Sequence, residues 1–207
     1  STTGVLTWTP SYTQAGSYPS VTLTATDPYG ATASSAFTIT VNNTNRGPVV
    51  NSIPNQTTPE ASLLTVTPGG NDPDGDPLTW SGSGLPSGAS VDPATGVLTW
   101  TPSEGQGPGD YAVTLQATDN GSPALSDSKT FGIHVDEVNL APLLAAIGDQ
   151  TVDGGSVLTV ATSASDPDIP ANSLTFSLDP GAPSGASIDP ATGVLTWTAP
   201  VVTGPVD

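Results

Sequence analysis

Apolar and polar residues alternate along this chain with a period of two. Tyr111-Ala112-Val113-Thr114-Leu115-Gln116-Ala117 alternates strictly, and Phe131-Gly132-Ile133-His134-Val135 does the same. Leu78 with Trp80, and Leu98 with Trp100, are further pairs spaced to share one face of a strand. Between these runs lie clusters of Asp, Pro, Gly and Ser, at residues 71–77, 85–90 and 92–96, which supply turn chemistry. Nowhere do apolar residues recur at i, i+3, i+4 and i+7 over three turns. The pattern therefore predicts an all-β chain of short strands.

The same pattern comes round again. Thr3-Gly4-Val5-Leu6-Thr7-Trp8-Thr9 recurs unchanged at residues 95–101 and 192–198, and a Ser-Gly-Ala-Ser-Val/Ile-Asp-Pro-Ala run precedes the last two copies. Ala25-Thr26-Asp27 matches Ala117-Thr118-Asp119, and Asn45…Pro48 matches Asn139…Pro142. The period is about 95 residues, too long for a solenoid and right for a small sandwich. Aligning the phases divides the chain into three. Residues 1–45 form the C-terminal half of one repeat, 46–138 a complete repeat, and 139–207 the N-terminal part of a third. About seven short strands per repeat predict tandem immunoglobulin-like Greek-key β-sandwiches. The chain starts and stops in mid-repeat, which suggests a window from a longer array. Copies could also complete one another head to tail, although the Thr-Gly-Val-Leu-Thr-Trp-Thr strand at both ends would then be redundant; the longer array is the simpler expectation. No leader is recognisable at Ser1.

Charge narrows the function. Nineteen acidic residues face two basic ones, Arg46 and Lys129, for a formal net charge of −17. Such a chain cannot neutralise a phosphate backbone, so nucleic acid is not an expected partner, and anionic membrane surfaces are disfavoured for the same reason. No apolar run reaches the ~18 residues of a membrane span, so no membrane insertion is expected. With no Cys and one His, thiolate chemistry and poly-His metal sites are excluded. The one His also lacks an evident Ser partner, and acids repeated from unit to unit suit ligation better than glycoside hydrolysis; the chain reads as no enzyme.

The acids are mostly Asp, and they collect where strands end. Asp72-Pro73-Asp74 and Asp166-Pro167-Asp168 hold the same phase of successive repeats, where two carboxylates can converge on one ion. Calcium ligation is the expected role of each pair and ordinary Asp-Pro turn chemistry the alternative; turn chemistry suffices for Asp92, Asp179 and Asp189, and Asp27 is open to the same explanation. Asp72–Asp76 is no EF-hand, because Pro77 stands where Gly is needed and no helices flank it. Hard, flexible, all-oxygen sites suit calcium better than magnesium or zinc. Two carboxylates ~5 Å apart repel by roughly 3 kcal/mol at an effective dielectric of 20, so several together need a cation. Trp8, Trp100 and Trp197 share one phase beside Leu and are expected in the core rather than as sugar-stacking platforms. His134 should point outward and be inert.

Ser90-Val91-Asp92-Pro93-Ala94-Thr95-Gly96-Val97-Leu98 resembles the Ile-Asp-Pro-x-Thr-Gly-x-Ile stretch of cadherin repeats. Tyr111 to Asp119, then Gly121, Pro123 and Leu125-Ser126, is similar to their Ala-x-Asp-x-Gly-x-Pro-x-Leu-Ser element. Asp136-Glu137-Val138-Asn139-Leu140-Ala141-Pro142 lies over their Asp-x-Asn-Asp-Asn-x-Pro linker. The likeness covers the whole chain and is nearest to the cadherin-like (Putative-Ig, or dystroglycan-type cadherin) repeats that stand in tandem in large bacterial surface proteins. It implies calcium between repeats. The junction of repeats two and three would use Glu60, Glu104, Asp136, Asn139, Asp166 and Asp168. The junction of repeats one and two would use Asn42, Asn45, Asp72, Asp74 and Asp119, with Gln14 near the position of Glu104.

Departures predict fewer ions than in a full cadherin, and a weaker first junction. Asn139 and Leu140 replace Asp and Asn, and the linker Asn42-Asn43-Thr44-Asn45 carries no carboxylate. Gly154 stands where repeat three should have Glu, and Tyr18 is one residue out of register with Tyr111. The resemblance implies a structural and adhesive module: a calcium-braced rod or filament segment of a secreted or cell-surface protein, with neighbouring repeats or copies of itself as partners. The alternative is a module for a cell-surface carbohydrate or protein ligand, with residues 105–110 as its loop. Asn42, Asn55 and Asn120 open N-glycosylation sequons.

Overall fold

A computed structural model of the protein describes residues 4–201 and Gly204. An antiparallel hairpin comes first, β1 (Gly16–Thr26) with β2 (Thr32–Val41). Nine strands follow: β3 (Val49–Val50), β4 (Gln56–Pro59), β5 (Leu64–Val66), β6 (Gly70–Asn71), β7 (Thr79–Ser83), β8 (Ser90–Val91), β9 (Leu98–Trp100), β10 (Gly109–Thr118) and β11 (Ser126–Asp136). A 3-10 turn, Glu104–Gln106, separates β9 from β10. The last five are β12 (Leu143–Leu144), β13 (Val157–Val160), β14 (Ala164–Ser165), β15 (Ser187–Ile188) and β16 (Leu195–Thr198). The chain is all-β, and no helix among the described residues is long and apolar enough to cross a membrane.

The nine central strands make a sandwich. One sheet runs β4-β11-β10-β7, with β4 parallel to β11 and the other pairs antiparallel. The other runs β5-β9-β8, and β3 pairs with β6. The period-two pattern decides what lies between them. Val113, Leu115 and Ala117 of β10 turn inward, as do Phe131, Ile133 and Val135 of β11. Leu64, Val66, Leu98 and Trp100 meet them from the opposite sheet. Val50, Trp80 and Ala117 extend the core toward one end.

Trp100 is the centre of this packing. It is 1 % exposed, it donates from Nε1 to the Ser87 carbonyl at 3.1 Å, and it meets the Tyr111 ring edge-on at 4.9 Å. Gly96 explains why the repeated motif contains Thr-Gly. Its φ is +74°, and a Cβ there would come within 2.6 Å of the Trp80 ring. Gly193 meets the Phe176 ring in the same way.

The tryptophans differ in their surroundings. Trp8, expected in the core, is 41 % exposed, and Trp197 is half-buried. The reason is the layer beneath: among the described residues no second sheet faces β1–β2. Trp8 meets Tyr18 edge-on, at 5.1 Å. The slipped tyrosine also has an explanation. A bulge between Tyr18 and Val21 absorbs one residue, so Tyr18 stands opposite Ile39 just as Tyr111 stands opposite Ile133.

Trp100→Ala should lower stability by about 3–5 kcal/mol, whereas Trp8→Ala should stay within about 0.5 kcal/mol because no layer closes over it. Urea unfolding of the two variants against the parent chain reads the difference.

Candidate metal centre at the repeat junctions

The acids gather at two places, one at each end of the central sandwich. At the end reached by β11, Glu60 follows β4 and is 2 % exposed. Its backbone N–H donates to the Asp136 carbonyl at 3.0 Å, which fixes the side chain under the linker. Oε1 accepts the Val138 N–H at 3.0 Å, while Oε2 is buried with no hydrogen-bond partner. Glu104, on the 3-10 turn, and Glu137, just past β11, bring their carboxylates to it; one oxygen from each of the three lies within 4.8 Å of the others. Burial first, then the charge of Glu60, holds the Glu104 and Glu137 carboxyls above their ordinary range, and Asp168 pushes both the same way.

The next repeat closes over this cluster. Asp168, also buried, accepts the Leu140 N–H at 2.9 Å and the Asn172 side-chain amide. Asp166 accepts the Asp168 and Asn172 N–H groups at 3.2 and 3.0 Å. Asn139 is tied to Asn172 at 3.1 Å, and the Ile169 N–H reaches Glu104 at 3.3 Å. The structure thus brings Asp166, Asp168 and Asn139 together through Asn172, and Ile169 joins that loop to Glu104 beside Glu60. The Asp136 carboxylate does not join them. It belongs to the opposite face of β11, 3.4 Å from the His134 ring, because alternation puts Val135 and Glu137 on one side and His134 and Asp136 on the other. Glu137 is the residue missed, and continuing the alternation past Val135 by two would have found it.

His134 is outward as expected, but it is engaged. Its Nδ1 lies 2.7 Å from Asp110, whose hydrogen bond raises the imidazole above its usual range. The loop expected to offer a ligand surface is spent on structure: the Gln106 carbonyl accepts the Tyr111 hydroxyl at 2.8 Å, and its side chain accepts the Ser103 N–H at 2.9 Å.

The other junction is built on the same frame with a different filling. Asp72 Oδ1 accepts the Asp74 N–H at 2.7 Å, and Asn45 donates to Asp119 at 3.0 Å. The Leu125 N–H, ahead of Asn45, holds the Asp119 carboxyl below its ordinary range. Asn45 Oδ1 and Asp72 Oδ2 are buried without partners. Asn42 stays apart, beside Tyr12 and Val41 in a shallow pocket. Arg46, unforeseen, sits in the middle. Its backbone N–H donates to Asp74 at 2.7 Å and its Nε at 2.8 Å, and its guanidinium lies over the Tyr12 ring at 4.8 Å.

Matching hydrogen bonds align the junctions residue by residue. Gln14 accepts the Ser11 N–H at 2.7 Å and its carbonyl accepts the Tyr18 hydroxyl at 2.8 Å, so Gln14 is the counterpart of Gln106. Tyr12, not Gln14, therefore stands where Glu104 does. Arg46 stands where Leu140 does, each donating its N–H to the second Asp of its pair. One junction carries its own cation; the other carries a third glutamate.

The Putative Ig domain family matches residues 1–42, 47–136 and 141–206. The chain belongs to this family. Its repeats resemble those of the protocadherin-like wing polarity protein stan of Drosophila melanogaster, 37 % identical over 100 residues, 44 % of this chain and 3 % of that protein. Human CDH23 EC21-23 shares the fold, at 19 % identity and a TM-score of 0.53 over 90 % of this chain and 65 % of that one. Protocadherin gammaB7 EC3-6, at 23 % identity and a TM-score of 0.44, is matched over 92 % of this chain and 52 % of that one. The chain thus spans a small part of the curated relative and one-half to two-thirds of these solved chains. The Putative Ig repeats here are cadherin-like, as the sequence suggested.

The first junction holds Asp119 and Asp74 low but Asp76 high, pushed up by burial and then by Asp72, whereas Glu104 and Glu137 at the second are both held high. A carboxyl held low, such as Asp119, adds stability present above the ordinary value of 3.8 and lost as pH falls through its folded value. A carboxyl held high, such as Glu104, does the reverse: its charge strains the fold at neutral pH, and the strain is relieved as pH falls through its raised folded value and is gone below the ordinary 4.5. In chelator at neutral pH, Glu104→Gln should therefore raise the melting temperature. The gain should vanish once the medium is acid enough to protonate Glu104 in the parent. Thermal melts of both chains across that pH range check it.

Proposed function

We infer that this chain is a non-catalytic, load-bearing segment of an extracellular adhesive protein, with calcium bracing the junction of repeats two and three. Residues 1–45, 46–138 and 139–207 act as its three units, and its partners are neighbouring repeats or copies of the same protein. The observation that carries the calcium reading is Glu60 Oε2, buried and unpaired beside Glu104 and Glu137. A buried carboxylate oxygen with no donor is costly unless a cation meets it. Every candidate donor is oxygen, several are anionic, and they come from a turn, a linker and a loop, which suits the variable coordination of calcium over the strict octahedron of magnesium. Glu60, Glu104 and Glu137 would hold the ion, with Asp166, Asp168 and Asn139 alongside. Bound there, calcium would neutralise the repulsion and tie the linker to both repeats. The cadherin-like relatives support an adhesive, extracellular setting.

At the junction of repeats one and two the reading is different. Arg46 already compensates Asp74, so this joint needs fewer ions, although Asp72 Oδ2 is buried there without a donor as Glu60 Oε2 is at the other. That is a physical reason for the weaker first calcium site expected from the linker sequence.

Thermal unfolding with calcium, magnesium or chelator tests the brace. At ~100 times its dissociation constant, calcium should stabilise the fold by about 2.7 kcal/mol, and magnesium should do less. Glu60→Gln should remove most of that shift and Asp136→Asn should not. A calcium response equal in the parent and Glu60→Gln would overturn the site. Arg46→Ala should lower the melting temperature in chelator and add a calcium-dependent recovery absent from the parent. If its loss in chelator persists fully in calcium, Arg46 does not stand in for a cation.

A further inference from the structure

At the junction of repeats two and three, one side chain stands between two oxygens of the kind a cation would take. The Asn172 amide nitrogen donates to Asp168 Oδ2 and, at 3.1 Å, to Asn139 Oδ1. Its neighbours fix its orientation. Asp168 is a carboxylate, and Asn139 uses its own amide on the Leu140 carbonyl at 3.2 Å, which leaves Oδ1 to face Asn172. Only the NH2 end of Asn172 fits between two acceptors, and it has two hydrogens, one for each.

The first junction fills the same position with the opposite chemistry. Trp80 and Phe176 are equivalent, since their N–H groups donate to the Pro93 and Pro190 carbonyls, both at 2.9 Å. Four residues before them stand Asp76 and Asn172. The backbone agrees: the Asn172 N–H donates to Asp166 Oδ1 at 3.0 Å, as the Asp76 N–H does to Asp72 Oδ1 at 3.3 Å. An acid therefore replaces the amide at the junction where Arg46 replaces Leu140. The two exchanges balance, because Arg46 with Asp76 has the same formal charge as Leu140 with Asn172. Each joint thus carries a donor of its own against the second Asp of its pair, a guanidinium in one and an amide in the other.

We propose, on the calcium reading of this junction, that the Asn172 amide holds the place of a second cation, so that the joint takes a single ion on the Glu60 side. Calcium draws its oxygens to roughly 2.3–2.6 Å. A nitrogen within hydrogen-bond distance of both Asp168 Oδ2 and Asn139 Oδ1 fills the space such an ion needs, and its hydrogens already satisfy both oxygens. Glu60 Oε2, by contrast, is buried with no donor and is left to the ion. Asn172 is thereby a specificity-determining residue: it sets how many ions this joint accepts.

Equilibrium dialysis of the 207-residue chain counts bound calcium, with magnesium in both compartments to suppress loose association with a chain of net charge −17. Glu60→Gln should lose one ion relative to the parent. Asn172→Asp, which installs the first-junction acid without its arginine, should gain one. It should also melt below the parent in chelator and recover more than the parent in calcium. Adding Leu140→Arg to Asn172→Asp restores the charge balance and should return the count to that of the parent. A count untouched by Glu60→Gln would overturn the calcium reading, and this proposal with it. Loss of one ion in Glu60→Gln with no gain in Asn172→Asp would leave that reading standing and overturn the role of the amide. A double variant that kept the extra ion would do the same, since a side-chain donor would then not displace a cation. Near-UV circular dichroism of the buried Trp100, unchanged across the variants in calcium, confirms that each is folded.

Discussion

Everything in this chain hangs on one cross-sheet contact, the Leu98–Trp100 strand packed against the β10–β11 hairpin. Where both halves are present, as in the central repeat, the result is a closed core with Trp100 almost wholly buried. In the β1–β2 hairpin the same residue types lie more open, and Trp8 meets Tyr18 edge-on. The stabilisation is roughly proportional to the apolar surface removed from water, so a strand gains little until it meets its facing layer.

Electrostatics does a separate job at the ends of the sandwich. The core sets where β4, the 3-10 turn and β11 finish, and these ends aim Glu60, Glu104 and Glu137 at one another. Such an arrangement is opposed by repulsion and held by packing, as the raised carboxyls of Glu104 and Glu137 record. By contrast, Asp92 and Asp189 are satisfied turn residues. Each accepts two backbone N–H groups of its own loop, and each is held low by them. The same residue type is thus local structure in one place and unbalanced charge in the other.

The strands, the repeat and the inward faces were legible because alternation is a local property. Val113, Leu115, Phe131 and Ile133 could be assigned to the core from the sequence alone, and so could the outward position of His134. The acid cluster was legible in part, because sequence spacing identifies which loops meet but not which face a side chain takes. Asp136 and Glu137 are neighbours in sequence, and only continuation of the β11 alternation separates their directions. Tyr12 was hidden by a slip: Gln14 looked like the counterpart of Glu104 until its bond to Ser11 showed it to match Gln106. Burial of Trp8 was misjudged because it depends on a second layer, which no pattern within its own segment records.

The exchange of Arg46 for Leu140 at equivalent positions carries a thermodynamic consequence. A guanidinium tethered to the backbone is present at one per joint and cannot be diluted, chelated or displaced by a competing ion. Its electrostatic contribution varies only with screening, over a Debye length of roughly 10 Å at 0.1 M salt. A joint that must recruit its positive charge from solution instead has an occupancy, and therefore a stiffness, set by the chemical potential of that ion outside. On the calcium reading, two joints of one frame are referred to different reservoirs: one to the covalent chain, the other to the medium.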